Sequence, residues 1–163
     1  MLKRIPYDRE KAVRYAREWA LKRNPRYLNF DDMGGDCTNF ASQCLFAGCG
    51  QMNYTPATGW YYNRPNDRTA SWTGVRFLAD FLLSNRSSGP YAEETDRSGL
   101  APGDLVQLGS ADGVYYHTPI VTSVSAEGIF VAAHSFDAYM RPLQSYSFAR
   151  LRCFHIAGAG RWE

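Results

Sequence analysis

The chain holds three histidines and four cysteines, at 37, 44, 49 and 153, and these are its side chains best suited to covalent or acid–base chemistry near neutral pH. Cys37 is distinguished by its position. It follows Gly34-Gly35-Asp36 and opens a segment in which Phe40, Ala41, Cys44, Leu45 and Ala47 recur at helical spacing. That places the thiol in the first turn of a buried helix. A helix N-terminus carries partial positive charge and free N–H groups, which together favour the thiolate and predict a lowered thiol pKa. The same N–H groups can hold the oxyanion of a tetrahedral intermediate. The competing reading of such a cysteine is inert core.

A nucleophilic thiol needs a base. His117 and His134 fall on neighbouring expected strands, and any even-length loop centred near Ser125-Ala126 puts both imidazoles on one face of the sheet. Paired directly, their Cβ atoms would lie about 5 Å apart. One imidazole would then fix the tautomer and orientation of the other, which is the task of the third member of a catalytic triad. The plain alternative is two histidines aligned by chance. His155, between Phe154 and Ile156, reads as structural. Cys44, Cys49 and Cys153 have no acid–base partner in reach and read as buried or incidental. Cys37, His117 and His134 have ligand types that suit zinc but no recognisable zinc spacing. Asp31, Asp32 and Asp36 are explained by loop solvation and helix capping.

The elements that must carry these residues follow from local chemistry. Asp8 is a good N-cap for a first helix with Ala12, Tyr15, Ala16, Trp19 and Ala20 on its apolar stripe, ended by Asn24-Pro25. Asp36 caps the second helix and Gly48 stops it. Residues 49–70 have no period. Trp60, Tyr61 and Tyr62 in that stretch either wall a substrate groove or simply pack. A third helix starts near Ser71 or Thr73 and ends before Ser87-Ser88-Gly89-Pro90. Strands are expected at 105–108, 114–124, 129–134 and 148–156, with Pro119 marking an edge or a bulge. Helices followed by an antiparallel meander make an α+β fold.

Composition narrows the function classes. A net charge of +2 without a block of like sign argues against nucleic acid or an anionic membrane as partner. A hydrophobic fraction of 45% with 21% charged residues excludes disorder. No stretch approaches the roughly 20 apolar residues that span a bilayer, so no membrane insertion is expected. Met1 to Pro6 lacks the apolar run of a signal peptide, which points to the cytoplasm or to a domain trimmed from an exported precursor. The 163 residues predict one domain, 1–163, that needs no disulfides. The four thiols contain no CxxC pair and suit a reducing compartment. A monomer without metal or cofactor is expected.

The string Asp36-Cys37-Thr38-Asn39-Phe40-Ala41-Ser42-Gln43 resembles the signature of the bacterial putative amidase domain family, a relative of the NlpC-type and CHAP-type cysteine peptidases and amidases of cell-wall turnover. Tyr7-Asp8-Arg9, Asn24-Pro25, Gly103-Asp104-Leu105-Val106-Gln107, Tyr116-His117 and Ala133-His134-Ser135 carry the same resemblance, over roughly residues 6 to 157. It implies a papain-like (NlpC-type) core, with a helix bearing cysteine at its start packed on an antiparallel sheet bearing histidine. By that resemblance Cys37 is the nucleophile, His117 the general base and His134 the residue that orients it. Asp137 is the other candidate for the third place, but strand alternation turns it to the opposite face. The implied activity is amide hydrolysis on peptide or peptidoglycan-fragment substrates. An acyltransferase of transglutaminase type and a catalytically silent binding module are the alternatives.

Overall fold

Asp8 begins the first helix as its chemistry requires: its carboxylate accepts from the Lys11 N–H and closes the first turn of α1 (Arg9–Trp19). A computed structural model describes residues 1–163. Helix α1 stops short of Asn24-Pro25. The Trp19 carbonyl, which would accept from Arg23 in a continuing helix, accepts from the Lys22 N–H at 3.3 Å in a tightened turn and from His134 Nε2 at 2.8 Å. The helix thus ends before the proline, with a tertiary bond on its last carbonyl.

Helix α2 (Cys37–Cys49) is buried on almost every side. Phe40, Ala41, Cys44 and Leu45 face the main core, as periodicity implies. Its polar residues are buried too, each with a partner. Asn39 donates to the Leu28 carbonyl, Ser42 to the Trp72 carbonyl, and Gln43 accepts from the Tyr15 hydroxyl. Gly48 does not stop this helix. Gly50, at φ 66, supplies the left-handed cap, and Gly48 lies inside because Tyr7 and Asp8 cross it closely.

The stretch expected to be irregular holds a small hairpin, β2 (Tyr62–Arg64) with β3 (Asp67–Arg68), and the expected third helix is split into α3 (Ala70–Thr73) and α4 (Val75–Ser84) at Gly74. The remaining strands are β1 (Leu2–Ile5), β4 (Gly89–Thr95), β5 (Leu105–Gly109), β6 (Tyr115–His117), β7 (Ile120–Ser125), β8 (Gly128–Ala133), β9 (Ala138–Pro142) and β10 (Arg150–Trp162). The fold is α+β, with one antiparallel eight-stranded sheet ordered β1-β10-β5-β7-β8-β9; β4 adds to β10 and β6 to β5. Strand β10 organises it. Its first half pairs with β5 and its end with β1 along one edge, while β4 covers the other. The terminal amine of Met1 consequently donates to the Glu163 carbonyl at 2.8 Å. No helix is long and apolar enough to cross a membrane.

The single strand expected over 114–124 is two. Pro119 has no N–H for the ladder, and the chain breaks at Thr118-Pro119 between β6 and β7. β6 pairs His117 with Leu108 of β5, so His117 belongs to a different ladder from β8. In the β7–β8 hairpin Ile120 faces Ala132, and a bulge between Val121 and Ser123 shifts the register further. The two histidines are therefore not a cross-strand pair.

The glycine inside α2 yields a test. A Cβ at Gly48 would lie 2.4 Å from Tyr7 Cε1 and 2.9 Å from the Asp8 carbonyl oxygen. Gly48→Ala gains about 1 kcal/mol of intrinsic helix propensity, but the overpacking costs roughly 1–3 kcal/mol. We expect a lower urea midpoint; an unchanged or raised midpoint would refute the close crossing of α1 and α2.

Candidate active site

Gly34 and Gly35 take φ values of +96 and +109, and this left-handed pair turns the chain into the start of α2. Asp36 occupies the N-cap position, yet its side chain does not cap. Its carboxylate turns inward, accepting from the Phe30 N–H at 2.8 Å, the Asn39 amide at 2.9 Å and His134 Nδ1 at 2.5 Å. Arg23 Nε stands 3.4 Å from the same carboxylate. No side chain therefore blocks the first turn of α2, where Cys37 sits.

Thr118, the residue after His117, ties its strand to the start of α2. Its hydroxyl lies 3.0 Å from that of Thr38, which itself stands 3.8 Å from Cys37 Sγ. Gln107 of β5 donates to Thr118 Oγ1 at 3.3 Å. This polar chain fixes the end of β6 against the start of α2. Cys37 and His117 consequently line one cavity of about 440 Å³, with Gly35, Tyr116, Phe136, Arg141 and Tyr146 among its other walls. A second cavity, about 470 Å³, runs along α1 beside Arg9, Arg14, Arg17 and Tyr139, and has no nucleophile or imidazole in its lining.

The electrostatics differ from the expectation for a helix-start cysteine. Burial pushes the Cys37 thiol up, and the Thr118 and Thr38 contacts only partly offset it. Burial also pushes the His117 imidazole down, from 6.5 to about 4, with Arg141 adding repulsion. At neutral pH the resting pair is a thiol and a neutral imidazole, not a thiolate and an imidazolium. Neither ring nitrogen of His117 meets a protein partner, so the imidazole is free towards the cavity.

His134 sits elsewhere. It is 1% exposed and stacks on Phe40 with ring centres 4.0 Å apart. The Trp19 carbonyl can only accept, so Nε2 carries a proton. Burial alone would raise the Asp36 carboxyl, but His134, Asn39 and the Phe30 N–H together hold it below its usual range, so it accepts from Nδ1. Both nitrogens of His134 are engaged, one of them by the residue before Cys37, and neither reaches His117. Asp137 is held by Arg23 in a two-pronged ion pair at 2.8 and 2.9 Å.

Trp60, Tyr61 and Tyr62 do not line the cavity. Trp60 is fully buried against Trp72, at 4.5 Å between ring centres, and donates to Ser42. Tyr62 is buried against Tyr27, its hydroxyl accepting from the Leu28 N–H, and Tyr61 packs with Tyr54. These aromatics fill the space around α2 that its apolar stripe alone leaves open. The cavity walls come instead from Tyr116, Phe136, Arg141 and Tyr146, which no spacing in the sequence marks. His155 pairs with Asp104, which also binds Arg9, outside the cavity. Cys44, Cys49 and Cys153 are buried, and burial pushes the Cys49 thiol up to about 12 and Cys44 well above its usual range.

Residues 6–157 match the family model described as "Putative amidase domain". Two Bacillus subtilis (strain 168) proteins, both described as uncharacterized, are similar. YhbB is 34% identical over 139 residues, covering 83% of this chain and 43% of YhbB. YjcM is 30% identical over 137 residues, covering 79% of this chain and 31% of YjcM. The chain thus spans less than half the length of either relative. No solved structure matches it significantly.

Both buried acid–base groups weaken the fold in acid, in different windows. His117 resists protonation down to about 4 when folded but binds a proton at 6.5 when unfolded, so stability falls between those values. The full loss is on the order of 3 kcal/mol. Asp36 contributes above its unfolded value of 3.8, and that contribution disappears as pH falls through its lower folded value. In His117→Gln the urea midpoint should stay flatter between pH 6.5 and 4 while the decline below pH 4 persists; an unchanged slope in the upper window would contradict a buried neutral imidazole.

Proposed function

Because the chain belongs to the putative amidase domain family, we propose that its hydrolase chemistry is cysteine-dependent cleavage of an amide bond, with Cys37 as nucleophile and His117 as general base. The observation that carries this reading is the shared cavity, which holds a thiol at a helix start and a partner-free imidazole. The arrangement is papain-like in plan: a nucleophile-bearing helix set against an antiparallel sheet that bears the base.

The neutral resting pair dictates the order of proton movement. As Sγ attacks the carbonyl carbon, His117 takes the thiol proton, so charge separation develops only with bond formation. The oxyanion forms beside the first-turn N–H groups that Asp36 leaves uncapped. His117 then gives its proton to the leaving amine, and the C–N bond breaks to leave a thioester. Water, deprotonated by His117, attacks the thioester and releases the acid. His134 serves through Asp36: the pair fixes the turn that aims Cys37.

For the substrate we propose peptide amide bonds of bacterial cell-wall fragments. The half-open aromatic cavity with one guanidinium, Arg141, suits a peptide that carries a carboxylate near the cleaved bond. One observation favours a non-catalytic binding module, namely the raised Cys37 thiol. A neutral imidazole in the same cavity answers it, because a general base removes the need for a preformed thiolate.

Cys37→Ala should abolish hydrolysis of stem peptides, read as new amino groups by mass spectrometry, while Cys44→Ala should retain full activity. Added amine separates hydrolysis from acyl transfer by the product formed. The acid limb of kcat/KM should fall near the His117 value of about 4, because activity needs the unprotonated ring. An acid limb near 6.5, or labelling by iodoacetamide that ignores Cys37→Ala, would defeat this reading.

A further inference from the structure

Tyr146 comes directly after the 3₁₀ turn Leu143–Ser145 that succeeds β9. Arg141 holds it from above, its guanidinium carbon 3.6 Å from the centre of the phenol ring. Three buried side-chain polar atoms of the protein lack a hydrogen-bond partner: Arg23 Nε, Arg152 Nε and the Tyr146 hydroxyl. Of these, only the hydroxyl belongs to a residue lining the cavity of Cys37 and His117. Buried polar groups are almost always paired, so an orphan beside a reactive centre marks a missing partner.

The partner's chemistry can be narrowed. The rings of Tyr146 and His117 are 5.6 Å apart between centres and tilted by 49°, yet they share no hydrogen bond. A phenol whose task was to orient the imidazole would already be bonded to it in the resting protein. Burial pushes the Tyr146 phenol above its ordinary range, Arg141 pulls against that, and negative charge on Cys37 raises it further, so the hydroxyl stays an O–H donor. A donor without an acceptor, next to a nucleophile, is suited to charge that exists only during the reaction.

We infer that the Tyr146 hydroxyl donates to the acyl oxygen as it becomes an oxyanion on Cys37, and that Arg141 against the ring face strengthens the donor. Tyr146 is then a catalytic residue, acting opposite the first-turn N–H groups of α2. The inference rests on Cys37 being the nucleophile.

The test compares two thiol reagents. N-acetyl-alanyl-alaninal, a peptide aldehyde, is captured as a hemithioacetal: the Sγ–C bond forms, the carbonyl π pair moves to oxygen, and the thiol proton passes through His117 to that oxygen or stays on the imidazole. Iodoacetamide alkylates the same sulfur, expels iodide and creates no oxyanion. In Tyr146→Phe, aldehyde affinity, read by protection of Cys37 from alkylation, should fall about 10²–10³-fold, while the alkylation rate stays within a factor of two. The melting temperature should hold or rise, since an unpaired buried hydroxyl is removed. Incorporating 3,5-difluorotyrosine at 146, a more acidic donor of nearly the same size, should tighten capture. Unchanged aldehyde affinity in Tyr146→Phe, or an equal fall in both reagents, overturns the inference and leaves Cys37 as nucleophile. Absence of aldehyde capture at Cys37 in the unaltered protein overturns the proposed function itself.

Discussion

One carboxylate coordinates the site. Asp36 gathers the 24–36 loop through Phe30, α2 through Asn39, the end of β8 through His134 and the end of α1 through Arg23. His134 lies 98 residues along the chain while the other three partners are near neighbours in sequence, and the next residue is Cys37. His134 extends the reach of the carboxylate to the Trp19 carbonyl at the end of α1. A carboxylate buried this deeply gives up much of its Coulomb energy with Arg23 to desolvation. Its value is positional: it fixes where the first turn of α2 begins and keeps that turn free of a side-chain cap. The Asp36 N–H completes the arrangement by donating to Ser135 Oγ at 2.8 Å, across a β8–β9 turn in which Ser135 and Phe136 both hold positive φ.

The cavity shows burial overcoming the helix dipole. An exposed cysteine at a helix start would be acidified, but Cys37 is 7% exposed, and loss of water moves its thiol the other way. The same dryness keeps His117 unprotonated. No charge is therefore stored on either side chain at neutral pH. Donors placed where charge develops count for more in such surroundings than in water.

Much of the frame was legible in the sequence. Asp8 announced α1 through its capping carboxylate, and the apolar stripe from Phe40 to Leu45 announced α2, because both signals are local. The α+β order came from helices preceding β-rich segments. What stayed hidden depends on distant partners. Strand β10 runs on through Gly158 and Gly160, past the expected end at 156; a Cβ at Gly160 would lie 2.2 Å from the Ser87 carbonyl oxygen, a neighbour that no local pattern reveals. Strand β4 carries Glu93 and Glu94 and lacks apolar alternation. At the site, the Gly-Gly-Asp-Cys turn marked Cys37, and the Tyr116-His117 segment marked His117. The partnership of His134 with Asp36 could not be read, since Asp36 looks like an ordinary N-cap until its carboxylate is seen facing inward. Trp60 and Tyr62 looked like groove walls because aromatic content alone does not distinguish a rim from a core.

The meeting of the two chain ends has a consequence of its own. Strand β1 lies antiparallel to the last residues of β10, with Leu2 opposite Trp162. A host protein could therefore carry this fold as a graft between two adjacent residues of a surface loop, without bridging any distance. By the same geometry, a short peptide joining the ends would allow circular permutation, with the chain reopened at an exposed hairpin tip such as Glu127 while helix α2 keeps its surroundings.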